Sequence, residues 1–109
     1  MMILTKAIKK HLAENHAEQG RVDHFPVLKL FTPWGANTWL ITEMDEHGIM
    51  WGLCDLGMGE PELGCVSLAE LMSVRGPWGL KLERDRHFKA SQPISEYAAD
   101  ARDAGRITA

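Results

Sequence analysis

The 109-residue chain has no long apolar run, and its opening Met1-Met2-Ile3-Leu4 gives way at once to Lys6, Lys9 and Lys10. A signal-peptide core needs roughly 7–15 apolar residues and a membrane-spanning helix about 20. Neither is present, so the expectation is a cytoplasmic protein with no membrane segment. Cysteine is scarce as well. Cys54 and Cys65 are the only two, with ten residues between them. They form no Cys-x-x-Cys pair and have no histidine at the complementary offset, which excludes the common zinc-knuckle and dithiol-redox spacings. Reduced, partly buried thiols are expected.

The third absence is of positive charge. No Lys or Arg lies between Lys29 and Arg75, while Glu43, Asp45, Glu46, Asp55, Glu60, Glu62 and Glu70 all fall there. Formal charge runs +2 over residues 1–29, −7 over 30–74 and +2 over 75–109, within a net of −3. Like charges gathered in one segment repel unless the fold spreads them or a cationic partner arrives. That balance excludes a phosphate cradle at Gly57-x-Gly59, because Glu60 and Glu62 stand where amides and a lysine should meet the anion. The glycines are instead expected to serve a tight connection with positive φ or close backbone approach.

What is present is the composition of an ordinary globular protein, 45% hydrophobic and 25% charged. The length suits one domain: residues 1–26 read as a helix plus linker and 27–104 as an α+β core. Leu4, Ile8 and Leu12 make a helical stripe between Ile3 and His16. Val27–Thr32, Thr38–Glu43 and Ile49–Cys54 read as strands joined by short turns, hence antiparallel. A short extended piece follows at Leu63–Val66. Ser67 with Glu70 has the form of a capping box opening a short helix. Leu80–Asp85 alternates as a half-exposed strand, and Ile94, Tyr97, Ala98 and Ala101 lie on one face of a C-terminal helix ended by Gly105. The predicted fold class is therefore α+β, an antiparallel sheet of four to five strands with N-terminal, short middle and C-terminal helices.

The segment from Gly52 to Cys65 holds four glycines, three carboxylates and both cysteines, and it is the first place to seek chemistry. Asp55, Glu60 and Glu62 could act as oxygen ligands to a divalent cation, with His47 a further candidate. Their spacing fits no calcium loop, since Leu56, Gly57 and Met58 follow Asp55 directly. Of the five histidines, His11, His16, His24, His47 and His87, only His47 lies in the acidic segment. Pairing it with Cys54 or Ser67 as base and nucleophile has no support, because no nucleophile elbow is present and capping already explains Ser67. The basic and aromatic run Arg84–Lys89 is diluted by Glu83 and Asp85, which disfavours a nucleic-acid partner. Four tryptophans, Trp34, Trp39, Trp51 and Trp78, chiefly fill the core, yet Trp34 and Trp78 each sit in a Pro-Trp-Gly turn where burial is hard to arrange.

Lys29-Leu30-Phe31, Pro33-x-Gly35, Thr38-Trp39-Leu40, Thr42-Glu43, the run Gly52 to Gly59, and Pro61-Glu62-Leu63-Gly64-x-Val66-Ser67-Leu68 resemble the bacterial domain-of-unknown-function family 2958. The resemblance covers most of residues 27–103 and leaves the N-terminal helix outside. It implies a small cytosolic α+β protein often carried on plasmids and other mobile elements, with no established activity or catalytic residue. Cys65 stands where the family pattern often has an aromatic residue, which weakens a redox or ligand role for it. The functional expectation is a non-enzymatic interaction module without cofactor. Asp55, Glu60, Glu62, Trp34 and Trp78 would meet an unknown protein partner, a basic surface by charge complementarity. The alternative is a metal-dependent enzyme or metal-binding protein using Asp55, Glu60 and Glu62.

Overall fold

A computed structural model describes residues 3–109, which form α1 (Lys6–Ala17), β1 (Leu28–Phe31), β2 (Thr38–Met44), β3 (Ile49–Asp55), β4 (Glu62–Ser67), α2 (Leu68–Ser73), β5 (Glu83–Arg84) and α3 (Ile94–Ala104). The five strands make one sheet in the order β4-β3-β2-β1-β5, and every neighbouring pair is antiparallel. The α+β class, the sheet and the three helices are as the sequence predicts. Among the described residues no helix is long and apolar enough to cross a membrane.

Both faces of the sheet are covered. Leu28, Leu30, Trp39, Ile41 and Met50 pack on one face against Leu4, Leu12 of α1 and Leu71 of α2. Leu40 and Leu53 point to the other face, where Ile94, Tyr97, Ala98 and Ala101 of α3 close over them. Burial on two sides explains why β2 reads as a nearly continuous apolar run rather than a clean alternation. The N-terminal segment is thus part of the core, with Leu12 fully buried.

Local chemistry sets the boundaries. Thr5 Oγ1 accepts the Ile8 amide at 3.1 Å, so α1 opens after Thr5 rather than at Ile3. Ser67 Oγ accepts the Glu70 amide at 3.3 Å and opens α2, the Ser67 half of the capping box. In the β2–β3 hairpin, Asp45 Oδ1 accepts the amides of His47 at 2.8 Å and Ile49 at 2.9 Å. These bonds, that from Ile49 foremost, hold the Asp45 carboxyl below its ordinary range.

Two expectations need correcting. Leu80–Asp85 does not form a six-residue strand: only Glu83 and Arg84 pair, with Phe31 and Leu30. The Leu80 carbonyl accepts the Gly76 amide at 2.7 Å, which draws Leu80 into the preceding turn and leaves its side chain exposed while Leu82 is buried. The extended piece at Leu63–Val66 is longer than expected, running from Glu62 to Ser67 along β3.

The β3–β4 register pairs Cys54 with Glu62 and Cys65 with Trp51. An odd offset of three rungs puts the two thiols on opposite faces of the sheet, so they cannot bridge. Burial pushes the Cys54 thiol up, whereas Cys65 is exposed. Because the thiolate is the nucleophile, iodoacetamide at neutral pH is expected to label Cys65 first and Cys54 only on unfolding. Peptide mass spectrometry reads this directly, and equal labelling rates in the folded protein would contradict the assignment.

Candidate functional site

The sequence-predicted residues gather at the end of the sheet where β1 turns into β2 and β3 into β4. Gly57 packs its α-carbon toward Ala36 of the first turn, and the Trp34 ring of that turn lies over Gly76, where an added Cβ would come within 2.2 Å of it. Three loops, 32–37, 56–61 and 74–80, therefore meet there. Gly57 and Gly59 both have positive φ, as a tight connection demands.

Within this end the five residues separate. Asp55 is 3% exposed. Its Oδ1 accepts the Gly57 amide and its Oδ2 the Ile107 amide, both at 2.9 Å. The carboxylate thus ties the glycine loop to the segment after α3 and does not reach a partner. Glu60 and Glu62 are exposed. They share a shallow hollow with Arg102, and Arg106 lines a neighbouring one with Asp55 and Gly57. The carboxylates without a basic neighbour in sequence have two in space, because α3 runs back across the sheet to this end. The set Asp55, Glu60 and Glu62 is not a ligand cluster, and among the described residues no three His, Cys, Asp or Glu side chains are gathered to hold a metal ion.

Trp34 is half-buried against the core and serves as the floor of the 74–80 turn. Trp78 is 99% exposed. Its backbone is left-handed, with φ 54° and ψ 27°, a conformation that costs a non-glycine residue roughly 1–3 kcal/mol. The turn holds it there through the Gly76 amide on the Leu80 carbonyl at 2.7 Å and the Leu80 amide on the Pro77 carbonyl at 3.2 Å. Met72, Val74 and Leu80 of the same segment are exposed as well.

The opposite, hairpin end of the sheet holds a groove of about 640 Å³. It begins with an irregularity: the β2–β3 register slips between Ile41 and Glu43. The slip frees the Thr42 carbonyl, and buried Asn15 of α1 donates to it from Nδ2 at 2.8 Å. One residue further on, His16 Nδ1 donates to Glu43 Oε2 at 2.8 Å. After α1 the chain crosses this end to α3, whose first residues lack a cap of their own since Pro93 offers none. The linker supplies it: the Ile94 amide donates to the His24 carbonyl at 2.8 Å, and the Asp23 carboxylate accepts both the amide and hydroxyl of Ser95. Val22, Ile49, Trp51 and Ile94 give the groove apolar walls. His24 Nε2 is buried with no hydrogen-bond partner, 3.7 Å from a Glu18 carboxylate oxygen.

A family model described as a protein of unknown function, DUF2958, matches residues 3–108. The chain belongs to the DUF2958 family. The matched span takes in α1, which the resemblance over residues 27–103 leaves out, and α1 is where Asn15 and His16 originate. Among curated proteins and among solved structures nothing matches this DUF2958 chain.

Sequence reasoning misses the groove. His16 and His24 lie outside the acidic segment, and the carboxylates that face them, Glu43 and Glu18, stand 27 and 6 positions away. The one available signal is the linker 18–26, whose Asp and His residues are more than a plain connection requires. The acidic segment of this DUF2958 protein is not one surface. Glu43 and Asp45 belong to the hairpin end, Asp55, Glu60 and Glu62 to the other.

Proposed function

We propose that this DUF2958 chain is a small, non-enzymatic protein-interaction module that engages its partner through the 74–80 turn. Trp78 carries the reading: a wholly exposed indole on a strained, left-handed backbone has no stabilising role in the isolated fold. Exposed tryptophan in an apolar patch is typical of an interface anchor. Met72, Val74 and Leu80 widen the patch, while Glu60 and Glu62 share their hollow with Arg102 of α3. The partner this surface suits presents an apolar pocket for the indole. A basic surface alone fits less well, since Arg102 stands beside the two glutamates. The setting that accompanies this reading, supported by the family resemblance, is a bacterial cytoplasm and accessory duty on a plasmid or other mobile element.

Quantitative affinity capture from source-cell lysate with wild type and Trp78→Ala tests it. Loss of a hot-spot tryptophan costs about 2 kcal/mol or more, so the specific partner should fall roughly thirtyfold while the melting temperature of the variant stays unchanged. Capture profiles that are identical for the two proteins would reject the reading.

A further inference from the structure

We infer that the groove at the hairpin end is a binding site for a small organic cation, a primary ammonium carried on an apolar or aromatic body. Its volume of about 640 Å³ falls inside the roughly 300–1,000 Å³ usual for small-molecule pockets. Its walls divide into the two halves such a molecule requires. Val22, Ile49, Met50, Trp51 and Ile94 offer apolar contact, and the Trp51 ring adds an aromatic face.

The polar half is acidic. Asp23, Glu43 and Asp45 line the groove against the single guanidinium of Arg21, which is exposed. The three carboxylates are not equally free. Asp23 is spent on Ser95, and Asp45 Oδ1 on the hairpin amides. Glu43 uses Oε2 for His16 and keeps Oε1 for a ligand. Its side chain is 17% exposed, so an ammonium that reaches it meets a partly desolvated charge, where the attraction exceeds that at an open surface. His16, donating through Nδ1, presents Nε2 as an acceptor in its neutral form. His24 Nε2 makes no hydrogen bond, but it is shut from solvent and faces a Glu18 carboxylate oxygen at 3.7 Å, so the ligand does not depend on it. The open carboxylate oxygen of Glu43 and the Nε2 of neutral His16 thus both call for a donor or a positive charge. A carboxylate or phosphate ligand would meet repulsion from Glu43 and Asp45.

The site is independent of the Trp78 surface at the other end of the sheet, and either can fail alone. Titration of the full chain followed by amide NMR tests it, using tryptamine and phenethylamine with their acid counterparts indole-3-acetate and phenylacetate. The amines are expected to shift amides of Val22, Trp51 and Ile94 at millimolar concentration, and the acids to leave them unmoved. Glu43→Gln keeps the shape and is expected to weaken amine binding about tenfold. Ile49→Lys, at an exposed wall position, is the second variant: it sets a cation at the rim and should weaken the amines with the melting temperature retained. Binding of acids and amines alike, shifts centred elsewhere, amine affinity unchanged in a folded variant, or no amine binding at millimolar concentration would each overturn the assignment.

Discussion

Gly52→Ala is expected to destabilise the protein by about 4 kcal/mol, at the severe end for a single added methyl group. The residue sits in β3 opposite Ile41, beside the register slip of β2. A Cβ built there would lie 2.0 Å from the Leu40 carbonyl oxygen and 2.9 Å from the Ile41 α-carbon. Both contacts are backbone atoms of a central strand buried on two faces, so no side chain can rotate aside. Relief requires β2 and β3 to separate, which breaks the most heavily packed pair of strands in the sheet. A small domain has only about 5–15 kcal/mol in hand, and the variant should show a much lower urea midpoint and a poor soluble yield. Gly64→Ala is the control: nothing lies within 4 Å of its added Cβ, and its effect should stay within about 0.5 kcal/mol. A Gly52 variant with a midpoint close to that of the Gly64 control would show that the strands are not as tightly apposed as described.

Asp55→Ala should cost about 3 kcal/mol and release the end of the chain. The carboxylate accepts two backbone amides, Gly57 at 2.9 Å and Ile107 at 2.9 Å, and the second bond is buried. Hydrogen bonds to a charged group contribute roughly 1.5–3 kcal/mol, and removing the acceptor leaves the Ile107 amide without a partner. Gly57 is near enough to solvent to recover part of its loss. The Ile107 side chain packs with Leu40, Leu53 and Ala101, so its loosening opens the α3 face of the core. Asn at this position retains one acceptor oxygen and should fall between the two. Amide exchange resolves the outcome: in Asp55→Ala the amides of Gly57 and Ile107 should lose protection well before the strands do. Unchanged protection at Ile107 would sink this account of the residue.

Both variants lie in the segment from Gly52 to Cys65, whose unusual composition is visible in sequence and whose meaning is not. Glycines, carboxylates and cysteines together suggest a site. In the fold Gly52 answers to a close backbone approach, Asp55 to two orphan amides and Cys54 to packing on the face under α1, while Glu60, Glu62 and Cys65 lie at the surface. The two proline-tryptophan-glycine turns look alike on paper. One buries its indole over Gly76 and the other projects it into water, a difference set by what lies beneath each turn.

Patterns that depend on near neighbours are legible in the chain itself. The helical stripe of Leu4, Ile8 and Leu12, the Ser67 cap, the C-terminal helix through Ile94, Tyr97, Ala98 and Ala101, and the short turns that force antiparallel strands all follow from spacing of a few residues. Propensity and hydrogen bonding act over that range, so sequence alone determines the α+β class and the family to which the chain belongs. What joins distant positions was decided by tertiary structure. Packing two faces of one sheet brings Arg102 beside Glu62, His16 to Glu43 and Asp23 to Ser95. It also shortens the last strand by drawing Leu80 into a turn. Electrostatics and burial act through space, and the charge that looks unbalanced along the chain is redistributed once α3 folds back over it.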